Sequence, residues 1–228
     1  TGLVTNNGDG TFDYDPNGQF ESLSVGDTAT DTFQYTVTDF NGLSDTKTVT
    51  VTITGDNDAP TVTAIVSGPV SEDAASYVID LLADASASDV DLNDTLSVTD
   101  YSASIDVGTI PAGALSLDAD GKTLTIDPDA FGFLSLGETR VVTVDYNVFD
   151  GTVKVANTAT ITINGANDGP VAVDVAATAS EDGPVVTISA DYSDIDSSDT
   201  HTFAVDTTGT TGLVTNNGDG TFDYDPNG

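Results

Sequence analysis

The sequence predicts an all-β protein made of Greek-key β-sandwich repeats in tandem. Short runs of residues alternate between apolar and polar side chains, turn pairs such as DG, NG and GP separate these runs, and no segment keeps a period of 3.6 residues. Several short strands per hundred residues are typical of an immunoglobulin-type sandwich.

The clearest predicted strands alternate Thr or another polar residue with an apolar one. TKTVTVTIT at 46–54 places Val49, Val51 and Ile53 on one face, and residues 160–163 repeat this pattern. Two further strands have their apolar faces at Phe33, Tyr35 and Val37, and at Val142, Val144, Tyr146 and Val148. One-sided strands of this kind pack against a second sheet.

The stretch TNNGDGTFDYDPNG occurs twice, within eighteen identical residues at 1–18 and 211–228. Its loop resembles the Asp/Asn/Gly-rich part of an EF-hand calcium loop, but the acid spacing differs and Pro16 stands where the bidentate Glu would be. A gap-free alignment of residues 3–16 with residues 115–128 keeps only a Gly-containing turn between two alternating strands. The stretch is therefore predicted to be a β-hairpin.

Diverged copies of other stretches give a repeat period of about 105 to 110 residues. TITGDNDAPTV at 52–62 returns as TINGANDGPVA at 162–172, and SDVDLNDTLSV at 88–98 returns as SDIDSSDTHTF at 193–203. The 210-residue offset between the identical ends therefore contains two diverged repeats.

This period sets the predicted domain boundaries. Residues 59–168 form one complete repeat, residues 1–58 the C-terminal half of a preceding repeat, and residues 169–228 the N-terminal half of a following repeat. Because half a sandwich leaves an open core and unpaired strand edges, we predict that 169–228 and 19–58 of neighbouring chains complete one repeat, head to tail. The identical ends are equally compatible with a repeating unit cut from a longer tandem array.

Composition excludes several classes of partner. The chain has 38 acidic and 4 basic residues and a net charge of −34. Phosphate contacts require Lys and Arg, which excludes nucleic acid and anionic membrane surfaces. There is no Cys for disulfide or thiol chemistry, and no apolar run reaches the length of a membrane span. A compact fold with this charge requires screening by salt or by bound cations.

Acidic residues concentrate in three kinds of cluster, whose oxygens suit a hard cation such as Ca²⁺. The first lies at each predicted domain border, just before Pro60 and Pro170; the second is a Glu-Asp pair after each border; the third contains a D-x-D motif, whose acids point to one side of an extended segment. The members are Asp56, Asn57 and Asp58 with Asn167 and Asp168; Glu72–Asp73 with Glu181–Asp182; and Asp89, Asp91 and Asp94 with Asp194, Asp196 and Asp199. Asp39 and Asp150 each close a strand, where an Asp either binds the cation or caps the turn by a hydrogen bond.

The order E…D-x-D…Y-x-V-x-D…N-D-x-P resembles that of a cadherin repeat. More closely, GDTATDTFQYTVTDFNGLSDTKTVTVTITGDNDAP at 26–60 resembles the VCBS or cadherin-like tandem repeats of giant bacterial surface adhesins, including those of RTX type. The resemblance covers the whole chain. It implies a secreted extender module of a stalk on the bacterial cell surface, with Ca²⁺ at each junction between repeats.

Carried over residue by residue, the resemblance implies two sets of calcium ligands. At the border near residue 168 they are Glu72, Asn167, Asp168, Asp194 and Asp196, with Asp199 as a further candidate. At the border near residue 58 they are Asp56, Asn57, Asp58, Asp89 and Asp91, and the Glu of this site belongs to the other half of the preceding repeat. Ala166 stands where the other border has Asp56, which implies one ion fewer or weaker binding there.

The sequence predicts no catalysis. His201 is the single histidine, and without Cys or a second His there is no nucleophile–base pair. His201 aligns with Leu96 of the complete repeat, which predicts a partly buried strand residue. A carboxylate pair for glycoside hydrolysis is compatible with so many acids, but the absence of Trp leaves little aromatic platform for a sugar.

Three function classes follow. The favoured one is a structural extender of a cell-surface or biofilm adhesin, whose partners are neighbouring repeats of the same protein. The second is an adhesive module of the same kind of adhesin that itself binds a glycan or a protein. The third is an accessory immunoglobulin-like module of a secreted hydrolase.

Overall fold

The computed structural model describes residues 2–227, and its regular structure confirms the predicted all-β fold class. These residues form sixteen strands and one short 3₁₀ helix, Pro128–Phe131. The strands are, in chain order, β1 (Leu3–Asn6), β2 (Phe12–Asp15), β3 (Thr28–Thr38), β4 (Ser44–Thr54), β5 (Ile65–Ser71), β6 (Tyr77–Asp80), β7 (Ser97–Ile105), β8 (Leu115–Leu117), β9 (Thr123–Ile126), β10 (Thr139–Phe149), β11 (Lys154–Asn164), β12 (Val171–Val173), β13 (Val186–Ser189), β14 (Asp191–Ser193), β15 (Leu213–Asn216) and β16 (Thr221–Asp225).

The middle of the chain, from β5 to β11, is a two-layer sandwich. One layer is a four-stranded sheet in the order β5-β11-β10-β7, in which β5 runs parallel to β11 and the other pairs are antiparallel. The other layer is the antiparallel sheet β6-β9-β8. The division of the chain into repeats at residues 58 and 168 remains a prediction.

The core between these layers is filled by the alternation read from the sequence. Val142, Val144, Tyr146 and Val148 of β10 are all buried, and they pack with Phe131 and other apolar residues of both layers. Burying each such side chain contributes about 1.5–3 kcal/mol. The one hydroxyl in this row is satisfied, because Tyr146 donates to the Leu81 carbonyl at 2.8 Å and accepts from Asn157 Nδ2 at 2.7 Å.

Residues 2–58 contain two antiparallel pairs. β1 and β2 form the predicted hairpin, with Leu3 opposite Asp15 and Asn6 opposite Phe12. β3 and β4 form an eleven-residue ladder, which confirms the strand predicted at 46–54. Its apolar face is incompletely covered, and Val37 is 62% exposed.

Residues 169–227 contain the three-stranded sheet β13-β16-β15 and the pair β12-β14. The sheet has the same order as β6-β9-β8, and its β15-β16 hairpin repeats the β1-β2 hairpin. Residues 202–210, which align with β7, form no strand. His201 is partly buried, as predicted, but lies outside any strand, so the prediction of a strand residue there was wrong; its aligned Leu96 also precedes β7, which begins at Ser97.

The two segments attach to opposite ends of the central sandwich. Residues 2–58 contact the turn near Asn93, and Asn57 reaches Asp150, which follows β10. Residues 169–227 contact Phe133 and Ser135, which precede β10. Since β10 has eleven residues, these ends are separated by about 36 Å.

We expect Tyr146→Phe to lower the free energy of unfolding by about 1–3 kcal/mol, because it removes two buried hydrogen bonds and leaves the Leu81 carbonyl without its donor. Urea unfolding followed by circular dichroism measures this change. Tyr101→Phe is the matched control, since no hydrogen bond to its hydroxyl occurs within residues 2–227; an equal loss in both variants would contradict this account.

Candidate metal centre

The chain builds the same backbone frame twice, once at each end of the central sandwich. We call residues 55–60 with 89–94 the first junction, and residues 165–170 with 194–199 the second junction. In the first junction the Asp58 N–H donates to Asp91 Oδ2 at 2.9 Å, and in the second the Asp168 N–H donates to Asp196 Oδ2 at 2.9 Å. One carboxylate thus holds the linker at each junction.

The D-x-D motif positions that carboxylate by a hydrogen bond within itself. The Asp91 N–H donates to Asp89 Oδ1 at 3.0 Å, and the Asp196 N–H donates to Asp194 Oδ1 at 3.0 Å. This is the Asx turn that Asp favours. In each turn the first carboxylate accepts from the turn itself, and the second accepts from the linker N–H.

A serine from the neighbouring segment anchors each turn. Ser24 Oγ accepts from the Asn93 N–H, and Ser135 Oγ accepts from the Ser198 N–H, both at 3.2 Å. The chain passes close to these serines at a glycine: a Cβ on Gly165 would lie 2.3 Å from the Ser135 carbonyl oxygen. In the first junction a Cβ on Gly55 would lie at the same distance from the Ser24 carbonyl oxygen.

Three carboxylates converge at the second junction, where oxygens of Glu72, Asp168 and Asp196 lie within 4.8 Å of one another. Glu72 is fully buried and accepts from the Ala166 N–H at 2.8 Å and the Leu134 N–H at 3.2 Å. Burial raises the pKa of Glu72, and the charges of Asp196 and Asp168 add to this effect against the two hydrogen bonds. The pKa of Asp168 is raised for the same reasons, burial first and neighbouring carboxylates next.

A second group forms at the first junction, where oxygens of Asp89, Asp94 and Asp150 lie within 4.8 Å of one another. Burial and then the charges of Asp91, Asp89 and Asp150 raise the pKa of Asp94. Burial alone would also raise the pKa of Asp150, but hydrogen bonds from the Val153 and Thr152 N–H groups and from Asn57 together lower it.

Three buried oxygens at the two junctions lack a hydrogen-bond donor among the described residues: Asp89 Oδ2, Asp91 Oδ1 and Asp196 Oδ1. A buried oxygen of this kind costs free energy unless something positive faces it. Several carboxylates with unpaired oxygens are the donor set that Ca²⁺ prefers. The residues of both junctions therefore fit a hard divalent cation.

The two carboxylate groups contain five of the candidate ligands: Glu72, Asp89, Asp94, Asp168 and Asp196. Asp56 and Glu181 are exposed and belong to neither carboxylate group. Asp199 contributes its backbone N–H to the Asp196 carbonyl. Asn57 and Asn167 each donate their side-chain amide to the next residue's carbonyl.

Asp150 is the one carboxylate of these groups whose role the sequence left open. Its Oδ1 caps the turn after β10, and its Oδ2 accepts from Asn57 at the first junction; a role in cation binding stays a prediction. Asp39, at the corresponding place after β3, caps the turn through the Asn41 and Leu43 N–H groups. Asp39 and Asp150 both end a Y-x-V-x-D pattern, so the sequence does not separate them. They differ in that Asp150 contacts a linker residue, Asn57.

His201 lies beside the second junction. Its Nε2 is 2.7 Å from Asp194 Oδ2. This hydrogen bond, together with the Asp196 N–H, lowers the pKa of Asp194. The aligned Leu96 offers no such group at the first junction, so the two sites differ in one contact.

The fold and its acidic junctions define an immunoglobulin-like β-sandwich protein with cadherin-like order of motifs. The family model of the bacterial Ig domain matches residues 1–52 and 167–228, which together are half of the chain. The chain belongs to the bacterial Ig domain family. No curated protein gives a significant match, and no helix among residues 2–227 has the length and apolar character to span a membrane.

Solved structures similar to this chain include two protocadherins and one enzyme. The extracellular cadherin domains 1–4 of protocadherin gamma B7 are 20% identical, with a TM-score of 0.44, and the match covers 98% of this chain and 55% of that one. The protocadherin gamma B4 extracellular domain is 14% identical, with a TM-score of 0.44, and the match covers 98% of this chain and 37% of that one. The endo-fucoidan hydrolase MfFcnA4 of glycoside hydrolase family 107 is 14% identical, with a TM-score of 0.34, and the match covers 98% of this chain and 32% of that one. The chain thus spans about half or less of each of these structures.

We expect Asp196→Asn to raise the free energy of unfolding by about 1 kcal/mol in chelator at neutral pH. The amide keeps an acceptor for the Asp168 N–H and removes one of three converging charges. Thermal denaturation measures the change. Asp145→Asn, at an exposed position of β10, should change the melting temperature little; a destabilised Asp196→Asn protein would show that the carboxylates do not oppose each other.

Proposed function

We propose that this chain is a structural extender of a bacterial cell-surface adhesin, stiffened by Ca²⁺ at its junctions. The carrying observation is that carboxylates with donor-free buried oxygens gather where successive segments meet. Membership of the bacterial Ig domain family is consistent with an extracellular module. The finer assignment, to VCBS-type repeats of an RTX adhesin, rests on the sequence resemblance.

The linker and the two flanking segments share each site. At the second junction Glu72 follows β5, Asp168 lies on the linker, and Asp196 belongs to the next segment. A bound cation would supply the positive charge that these carboxylates otherwise lack. Since the ligands come from three parts of the chain, binding and a fixed angle between the segments are thermodynamically linked.

Without a cation the same residues favour bending. Like charges within 4.8 Å repel, and the pKa values of Glu72, Asp168 and Asp94 are raised by burial first and then by neighbouring carboxylates. The second junction is then held by hydrogen bonds such as that from the Asp168 N–H to Asp196. Each such bond contributes about 0.5–1.5 kcal/mol to stability. Repetition of such units would carry an adhesive tip away from the cell.

We expect Ca²⁺ to raise the melting temperature of the chain, because only the folded state assembles the site; a hundredfold excess over Kd contributes about 2.7 kcal/mol. Glu72→Gln should weaken binding at the second junction and Asp89→Asn at the first, as measured by calorimetric titration. Asp145→Asn is the control. Equal titrations for all four proteins would contradict these site assignments.

Small-angle scattering tests the mechanical part of the proposal. With Ca²⁺ we expect an extended particle with one large maximum dimension. With chelator we expect a smaller average dimension and a broader distance distribution, because the junctions bend. An unchanged distribution together with an unchanged melting temperature would overturn the proposal. Binding of this chain to members of a glycan array would instead favour a ligand-binding adhesive module.

A further inference from the structure

We propose that His201 competes with the cation of the second junction for the carboxylate of Asp194, so that calcium binds there more weakly than it would with the leucine of the first junction. The inference rests on the proposed function, because it assigns an affinity-setting residue to the same calcium site. An imidazole N–H and a cation are the two competitors for one carboxylate oxygen.

The two D-x-D turns are alike in their internal hydrogen bond. Asp89 Oδ1 accepts from the Asp91 N–H, and Asp194 Oδ1 accepts from the Asp196 N–H, both at 3.0 Å. The second carboxylate of each turn also accepts from its linker N–H at the same distance of 2.9 Å. A difference between the turns is therefore to be sought at the other oxygen of the first carboxylate.

The two junctions differ at that oxygen. Asp89 Oδ2 is buried and has no donor among residues 2–227. Asp194 Oδ2 lies 2.7 Å from His201 Nε2. Since an ionised carboxylate only accepts, the imidazole N–H is the donor of this bond. Asp194 thus has a donor on each of its oxygens, while Asp89 keeps one oxygen open to a cation.

The imidazole is held in place by a cluster of rings that the central sandwich lacks. Three aligned positions differ, and the pairs are Ala87 and Tyr192, Leu96 and His201, and Val98 and Phe203. The centroid of the Tyr192 ring lies 4.8 Å from that of His201 and 5.4 Å from that of Phe203. Tilted ring contacts of this kind are favourable, and they fix the imidazole beside Asp194.

The bond between His201 and Asp194 is shielded from water. The exposed fraction is 18% for the His201 side chain and 5% for the Asp194 side chain. Hydrogen bonds to a charged group are among the stronger ones in proteins. A cation that used Asp194 Oδ2 would have to displace the imidazole from this bond. The same step at the first junction displaces nothing, because Leu96 has no donor.

The carboxylate groups of the two junctions agree with such a competition. At the first junction, Asp89 belongs to the group whose oxygens lie within 4.8 Å of one another. At the second junction, the corresponding group among residues 2–227 consists of Glu72, Asp168 and Asp196, without Asp194. Calcium affinity is set by the number of charged ligands and by the rigidity of the site. Freeing Asp194 from His201 is therefore expected to raise the affinity of the second junction.

Exchange of the two aligned residues tests the competition. His201→Leu should tighten calcium binding at the second junction about tenfold, because one more carboxylate joins the ligands. Leu96→His places a donor beside Asp89 and should weaken binding at the first junction by a similar factor. Calorimetric titration measures the first change in an Asp89→Asn background and the second in a Glu72→Gln background, so that the other junction is weakened in each case.

Two further variants separate the competition from a merely structural role of His201. His201→Gln keeps an amide N–H in place of the imidazole N–H, and it should bind calcium like the wild-type chain. Asp194→Asn removes the charge for which the cation competes, so His201→Leu should give no tightening in that background. A tightening that persists in the Asp194→Asn background would overturn the proposal.

Nuclear magnetic resonance tests the hydrogen bond without calcium. His201 is the single histidine of the chain, so its imidazole signals need no further assignment. In chelator the wild-type chain should show a slowly exchanging Nε2–H proton, and Asp194→Ala should lose it. A wild-type chain without that proton would overturn the proposal, because the imidazole would then not occupy the carboxylate.

The outcomes distinguish this inference from the proposed function. If calcium binds the wild-type chain but neither exchange changes the affinity, His201 does not compete for Asp194, and the proposed function stands. If His201→Leu weakens calcium binding, the imidazole orients Asp194 for the cation, and the competition is overturned. If the Nε2–H proton is present but calcium binds at neither junction in any of these proteins, the proposed function fails and the inference fails with it.

Discussion

Each junction depends on one requirement: the linker N–H needs an acceptor where the linker meets the neighbouring D-x-D turn. Asp91 and Asp196 meet it with one carboxylate oxygen each, at 2.9 Å. Their other oxygens are buried without a donor among residues 2–227. Each of these carboxylates therefore has one oxygen without a donor. The neighbouring acids add repulsion at that oxygen, which a bound cation would relieve.

Charge then connects the local site to the whole chain. With a net charge of −34, the compact state carries repulsion everywhere, but salt screens the repulsion between exposed charges more than about 8 Å apart. Glu72, buried between two backbone donors and two other acids, is screened least. The junctions are therefore the places where we expect a bound divalent ion to stabilise the folded chain most.

The strands present in the two end segments are those whose pairing partners lie in the same segment. The hairpins β1-β2 and β15-β16 form in both end segments, because their strands are separated by one short loop. β5 and β7 pair with strands far along the chain, and the residues aligned with them at 174–180 and 202–210 remain without strand structure.

The sequence by itself determined the all-β class, the hairpin at TNNGDG and the inward row of Val142, Val144, Tyr146 and Val148, because a period of two and local turn chemistry are written in neighbouring residues. It also located the acidic turns through their repetition. Only the tertiary structure decided that Asp150 faces a linker while Asp39 caps a turn, that His201 lies on Asp194, and that Asp56 and Glu181 remain exposed. These outcomes depend on which distant segments meet at a junction, and the local sequence pattern does not determine those contacts.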